Sequence, residues 1–143
     1  MTAPVVLVAL DPSDLDSQRH ILDAARAEAE TRGGRLALIL VVEGMAHAGH
    51  GAAFAEMRHN LMREAAQRAD AWAEATAGAG SVETHVAHGD VDREILELAD
   101  RLGAAVIVMG ERRTRAIERI LGSVATAVSE GATVPVVLVP PVR

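Results

Sequence analysis

The stretch Val106-Ile107-Val108-Met109-Gly110 decides how this chain folds. Four apolar residues, mostly β-branched, run without a polar interruption and stop at a glycine. A run this short and this uniformly apolar suits a strand buried on both faces. Twelve positions on comes Gly122-Ser123-Val124, and then a second apolar run, Pro135-Val136-Val137-Leu138-Val139, closed by Pro140-Pro141. Proline cannot donate to a ladder, so the second run ends there.

Working outward, five such runs occur: Pro4–Leu10, Leu36–Val42, Val82–His88, Ala104–Met109 and Val134–Val139. Helical patterns separate them. The first spans about 14–31, with Leu22, Ala25 and Ala29 on one face and Gly33-Gly34 as its stop. The second spans about 52–77, where Phe54, Met57, Leu61, Ala65, Ala69, Trp72 and Thr76 step by three or four and read as a core face. The third starts after Asp90 as N-cap, carries Val91, Ile95, Leu98 and Leu102, and ends at Gly103. The fourth carries Val124 and Val128 and ends near Gly131. The alternation of strand and helix predicts an α/β fold: an open, mostly parallel five-stranded sheet with helices on both faces and right-handed crossovers.

Composition agrees. The chain has 143 residues, which suits a single domain over 1–143. A chain of this size buries about two-thirds of its unfolded surface, so it needs no staple. Half the residues are hydrophobic, yet Phe54 and Trp72 are the only aromatics. The core is therefore Val, Leu, Ile and Ala. With no cysteine, disulfides, thiolate metal sites and cysteine nucleophiles are excluded. The first residues lack a basic leader, and no apolar run approaches the roughly 18 residues of a membrane span, so a cytoplasmic location without membrane association is expected. The net charge of −6 argues against a nucleic-acid partner.

All fourteen basic side chains outside histidine are arginine. A lysine-free chain has no P-loop, whose lysine sits on the phosphates, and no receiver-type lysine near the fifth strand. A flavin carrier would want aromatics to stack on, and both lie on the second helix.

In an open α/β sheet, ligands bind beyond the carboxyl ends of the strands, where strand order reverses. The residues there are Asp11, Val41-Val42-Glu43, His88-Gly89-Asp90 and Met109-Gly110. Gly110 leaves room for close approach of a ligand. Gly122-Ser123 at a helix start would offer free N–H groups and a hydroxyl to an anion. Three plainer readings stand beside this one. Gly122 could supply a positive φ with Ser123 as cap. One helix could run from Ala116 to Glu130. Asp11 could serve only the turn with Pro12-Ser13. Arg112, Arg113, Arg115 and Arg119 form either a phosphate-binding group or a solvated patch paired with Glu111 and Glu118. His47 and His50 lie in a glycine-rich loop near Glu43 and lack a further preorganised ligand, so no metal site is expected. His85 and His88, three apart on a strand, face opposite ways. No nucleophile triad is found around Ser17 and His20, and no catalytic residue is assigned.

Taken in order, these segments resemble the universal stress protein family. ATP-binding members carry Gly-x-x-Gly, nine residues, then Gly-Ser or Gly-Thr after the fourth strand; this chain has Gly110 and Gly122-Ser123. Asp11 falls where the family sets an aspartate against adenine, and Val41 where it sets an apolar adenine contact. Gly89-Asp90 with Ile95 matches the turn into the third helix, and Val134–Val139 matches the closing strand. The resemblance implies an adenine-nucleotide α-hydrolase-like (Rossmann-like) fold with strand order 3-2-1-4-5. It implies ATP or AMP, with magnesium accompanying ATP, between strands 1 and 4. The contacts would be Asp11, Val41, Met109, Gly110, Arg113, Gly122, Ser123 and Val124. It also implies a homodimer paired through Val134–Val139; with no general base and no clear metal ligand beyond Asp11 or Ser123 in the sequence, at most slow, incidental ATP hydrolysis is expected. A nucleotide-free, homodimeric stress-response or interaction module is the alternative. Two departures mark this chain: Arg113 stands where the second glycine belongs, and eleven residues separate Gly110 from Gly122 where the pattern has twelve.

Overall fold

A computed structural model describes residues 3–43, 51–111 and 122–142. Strands β1 (Val5–Leu10), β2 (Arg35–Val42), β3 (Val82–His88), β4 (Ala104–Gly110) and β5 (Val136–Val139) form one sheet in the order β3-β2-β1-β4-β5. Every pairing is parallel. Helices α1 (Arg19–Arg32), α2 (Ala52–Ala77), α3 (Val91–Leu102) and α4 (Ser123–Gly131) make up the outer layers.

The strands are apolar on both sides because both sides are covered. Val6, Val8, Leu10, Leu38, Leu40, Val106 and Val108 pack under Ile21, Leu22, Ala25 and Ala29 of α1 and Ala69 of α2. Leu7, Ile39, Val41, Ile107 and Met109 pack on the other face, under Ile95, Leu98 and Ala99 of α3 and Ala125 and Val128 of α4. The period-2 alternation along each strand assigns one residue to each helical layer in turn. No polar or charged residue is buried among those described.

Several boundaries differ from the sequence reading. The turn before α1 is a 3₁₀ helix, Asp16–Gln18, so α1 proper starts at Arg19. At its far end Gly33 is left-handed (φ 62°), and the Gly34 N–H donates to Ala29 O at 2.8 Å. Val134-Pro135 precedes β5 rather than belonging to it, although the Pro135 carbonyl still accepts from the Ile107 N–H at 3.0 Å.

The larger difference is in α2. Its buried residues are Ala65, Ala69 and Ala73 only, whereas Met57 and Leu61 are 46% and 42% exposed. The reading of Phe54, Met57 and Leu61 as core is therefore corrected for the last two, and Phe54 is half-buried. Length is the reason. The helix has 26 residues and β3 has 7, so α2 is about 39 Å long against about 23 Å of strand. The first turns of α2 have no strand beneath them.

Candidate functional site

The strand order reverses at β1, which is flanked by β2 on one side and β4 on the other. A crevice at the carboxyl edge between β1 and β4 is where such sheets bind ligands. Asp11 follows β1 directly. Leu10 is in register with Leu40 and Ala9 with Met109, so Asp11 is level with Val41 on one side and Glu111, one residue past Gly110, on the other.

The loop after β1 is closely tied. The Asp11 N–H donates to Gln18 Oε1 at 2.8 Å, and Gln18 Nε2 donates back to the Asp11 carbonyl at 2.8 Å. Ser13 donates twice to Asp11 Oδ1, from its N–H at 2.9 Å and its hydroxyl at 2.7 Å. This is an Asx turn, so the turn reading of Asp11 holds for one carboxylate oxygen. Two elements away, Trp72 Nε1 donates to Asp16 Oδ1 at 3.0 Å and moors the loop to α2.

Val41 and Met109 are buried side chains on the α3/α4 face, and Val124 packs against the same cluster. Ala9, Ala87 and Val91 are half-buried there too. Together they make an apolar floor below the carboxyl edge. Gly110 is different. A Cβ built on it would lie 2.8 Å from Ile21 Cδ1, so the missing side chain makes room for α1.

Gly122 is the N-cap of α4, with φ −61° and ψ 156°. Its φ is negative, so the reading of Gly122 as a positive-φ turn does not hold. Ser123 is the first helical residue and not the cap. Gly122 is extended, so a single helix through Ala116–Glu130 is also ruled out. The first intrahelical bond runs from the Thr126 N–H to Gly122 O at 3.1 Å. The N–H groups of Ser123, Val124 and Ala125 therefore have no intrahelical acceptor, and a glycine cap brings no side chain to them. This is the arrangement that receives an anion.

Arg113, with Arg112, Arg115, Arg119 and Glu118, lies outside the described residues, as do His47 and His50. Among the described residues, no group of three or more His, Asp or Glu is placed to hold a metal ion. No described helix is long and apolar enough to cross a membrane. A groove of about 300 Å³ lined by Asp70, Glu74, Gly78, Gly80 and Thr84 opens at the amino end of β3, the edge away from Asp11 and Gly122. The sequence reading missed Gln18 and Trp72 as supports of the β1 loop. Their partners lie seven and fifty-six positions away, and both contacts depend on how the loop after β1 folds back rather than on a periodic pattern.

Fold and strand order together define an open α/β protein whose order reverses at β1. The sequence profile of the universal stress protein family matches residues 4–140, and the chain belongs to that family. Universal stress protein G of Shigella flexneri is 41% identical over 58 residues, a match covering 41% of this chain and 41% of that protein. A universal stress protein solved in complex with cAMP is 26% identical, with a TM-score of 0.63 over 99% of this chain and 100% of that one. The Archaeoglobus fulgidus universal stress protein solved in complex with dAMP is 22% identical, with a TM-score of 0.66 over 96% of this chain and 98% of that one.

Proposed function

We propose that this protein is a regulatory nucleotide-binding protein that holds an adenine nucleotide, AMP or ATP, across the β1–β4 switch point. The observation that carries the proposal is the α4 terminus: three N–H groups without intrahelical acceptors behind an uncapped glycine, at the edge that also holds Asp11. The ligand of the cAMP-bound relative is of the same chemical class.

The residues fit such a ligand. Adenine would lie on the floor of Val41 and Met109, with the Asp11 carboxylate accepting from its 6-amino group, since an ionised carboxylate only accepts. The phosphate would sit on the Gly122, Ser123 and Val124 backbone, beside the Ser123 hydroxyl. Arg113 would add a bidentate phosphate contact in place of the family's glycine. Magnesium would accompany ATP. No described residue is assigned as a general base, so hydrolysis would be slow and incidental.

A thermal-shift titration tests this. A ligand that binds only the folded state raises the melting temperature by mass action. AMP or ATP with magnesium at millimolar concentration is expected to raise it. Gly122→Val should abolish the rise while leaving the fold intact, because φ −61° and ψ 156° suit a β-branched residue. An absent shift in the wild type would favour the nucleotide-free module instead.

We also propose a homodimer through the edge of β5, in the cytoplasm. Each edge of the sheet is a single strand. The β3 edge carries Glu83 and His85, charged or polar groups of the kind that discourage strand addition. The β5 edge, Val136-Val137-Leu138-Val139, carries none and is half-buried.

A further inference from the structure

We infer that Gln18 is a positioning residue for the base half of this site: its side-chain amide fixes the Asp11 peptide and so the direction of the Asp11 carboxylate. The inference rests on the proposed contact of Asp11 with the adenine amino group.

Register shows why the Asp11 peptide needs a partner. The last β1 pairings are Leu10 with Leu40 and Ala9 with Met109. Asp11 stands one residue past the ladder, and its N–H and carbonyl have left both neighbouring strands. A half-buried peptide in that position must find other partners. The Gln18 amide offers one acceptor and one donor side by side, as a strand peptide does, and takes both Asp11 groups at 2.8 Å. Its second amide hydrogen goes to the Asp14 carbonyl at 2.5 Å, and its own N–H donates to Leu15 O at 3.0 Å. Gln18 thus closes the 11–18 loop into a ring. Ser13 holds Asp11 Oδ1 at the same time. With its peptide and one oxygen fixed, the carboxylate keeps a single direction.

Only a long neutral amide does this. A glutamate at 18 could accept from the Asp11 N–H but would set an acceptor against the Asp11 carbonyl. A methionine would match the length and offer neither bond.

The consequence separates base recognition from phosphate recognition. The α4 terminus binds phosphate whatever the Asp11 carboxylate does. AMP and purine riboside monophosphate, which has hydrogen in place of the 6-amino group, differ only at the group Asp11 reads. Titration calorimetry with both ligands on the wild type, Gln18→Met and Gln18→Glu tests the inference. The wild type should prefer AMP by about tenfold, the value of one charge-assisted hydrogen bond. Both variants should lose most of that preference and keep the affinity for the deaminated analogue. A loose structural role would instead weaken both ligands equally and leave the ratio intact. An unchanged ratio in folded Gln18→Met and Gln18→Glu would overturn the role of Gln18. A wild type that binds both ligands equally, or neither, would overturn the underlying reading of Asp11.

Discussion

Gly110 and Ile21 meet where β4 ends: a Cβ on the glycine would fall 2.8 Å from the Ile21 Cδ1, closer than real Cβ contacts come. Ile21 is only 5% exposed, so its methyl has little room to withdraw. Gly110→Ala should therefore destabilise the protein by about 1–2 kcal/mol through overpacking. Chemical denaturation checks it. Adding Ile21→Val, which removes the offending methyl, should recover part of the loss. Equal stability of Gly110→Ala and the wild type would show that the glycine is not required by α1.

Trp72 is the one tryptophan of the chain, and its indole N–H is bonded to Asp16 in the loop that carries Asp11. A double-mutant cycle with Trp72→Phe and Asp16→Ala should give a coupling of about 1 kcal/mol, that of one hydrogen bond. The same geometry makes Trp72 a reporter. AMP should change its fluorescence, and the change should vanish in Asp16→Ala.

Along α2, burial and not hydrophobicity should set the cost of substitution. Ala69 is fully buried and packs on the sheet, whereas Met57 and Leu61 stand near half exposure. Met57→Ser and Leu61→Ser should each shift stability by about 0.5 kcal/mol or less, the ordinary surface range. Ala69→Leu should cost about 1–3 kcal/mol through overpacking. Comparable losses at all three positions would mean that the first turns of α2 are covered in solution.

At the other sheet edge, the Pro135 and Val139 carbonyls accept from the Ile107 and Glu111 N–H groups at 3.0 and 2.7 Å. Parallel pairing alternates direction, so Val136 and Leu138 turn their own N–H groups away from β4. Val136→Pro removes one outward donor and leaves the β4 ladder in place. Sedimentation should show a dimer for the wild type and a monomer for Val136→Pro. A wild-type monomer at low micromolar concentration would contradict pairing through β5.

The sequence carried much of this architecture because buried parallel strands and capped helices leave local marks. Val82–His88, Ala52–Ala77 and the Asp90-to-Gly103 helix are found where the apolar runs and caps put them. What stayed hidden was tertiary. Phe54, Met57 and Leu61 keep a helical period, yet period cannot say whether a strand lies underneath. Gly110 reads as room for a ligand until Ile21 is seen in that space. Gln18 looks like any polar residue before a helix, because its role depends on a peptide seven residues back. The uncapped start of α4 could be weighed but not chosen from Gly122-Ser123, since a turn, a cap and a continuous helix all use these residues.

The central claim is that an adenine nucleotide sits at the carboxyl edge between β1 and β4. Titrating AMP into isotope-labelled protein and following backbone amide resonances tests it residue by residue. Saturable shifts are predicted at Asp11, Gly122, Ser123 and Val124, with little change at Gly78, Gly80 and Thr84 around the opposite groove. No saturable shift at Asp11 and Gly122–Val124, or shifts confined to the groove, would contradict it.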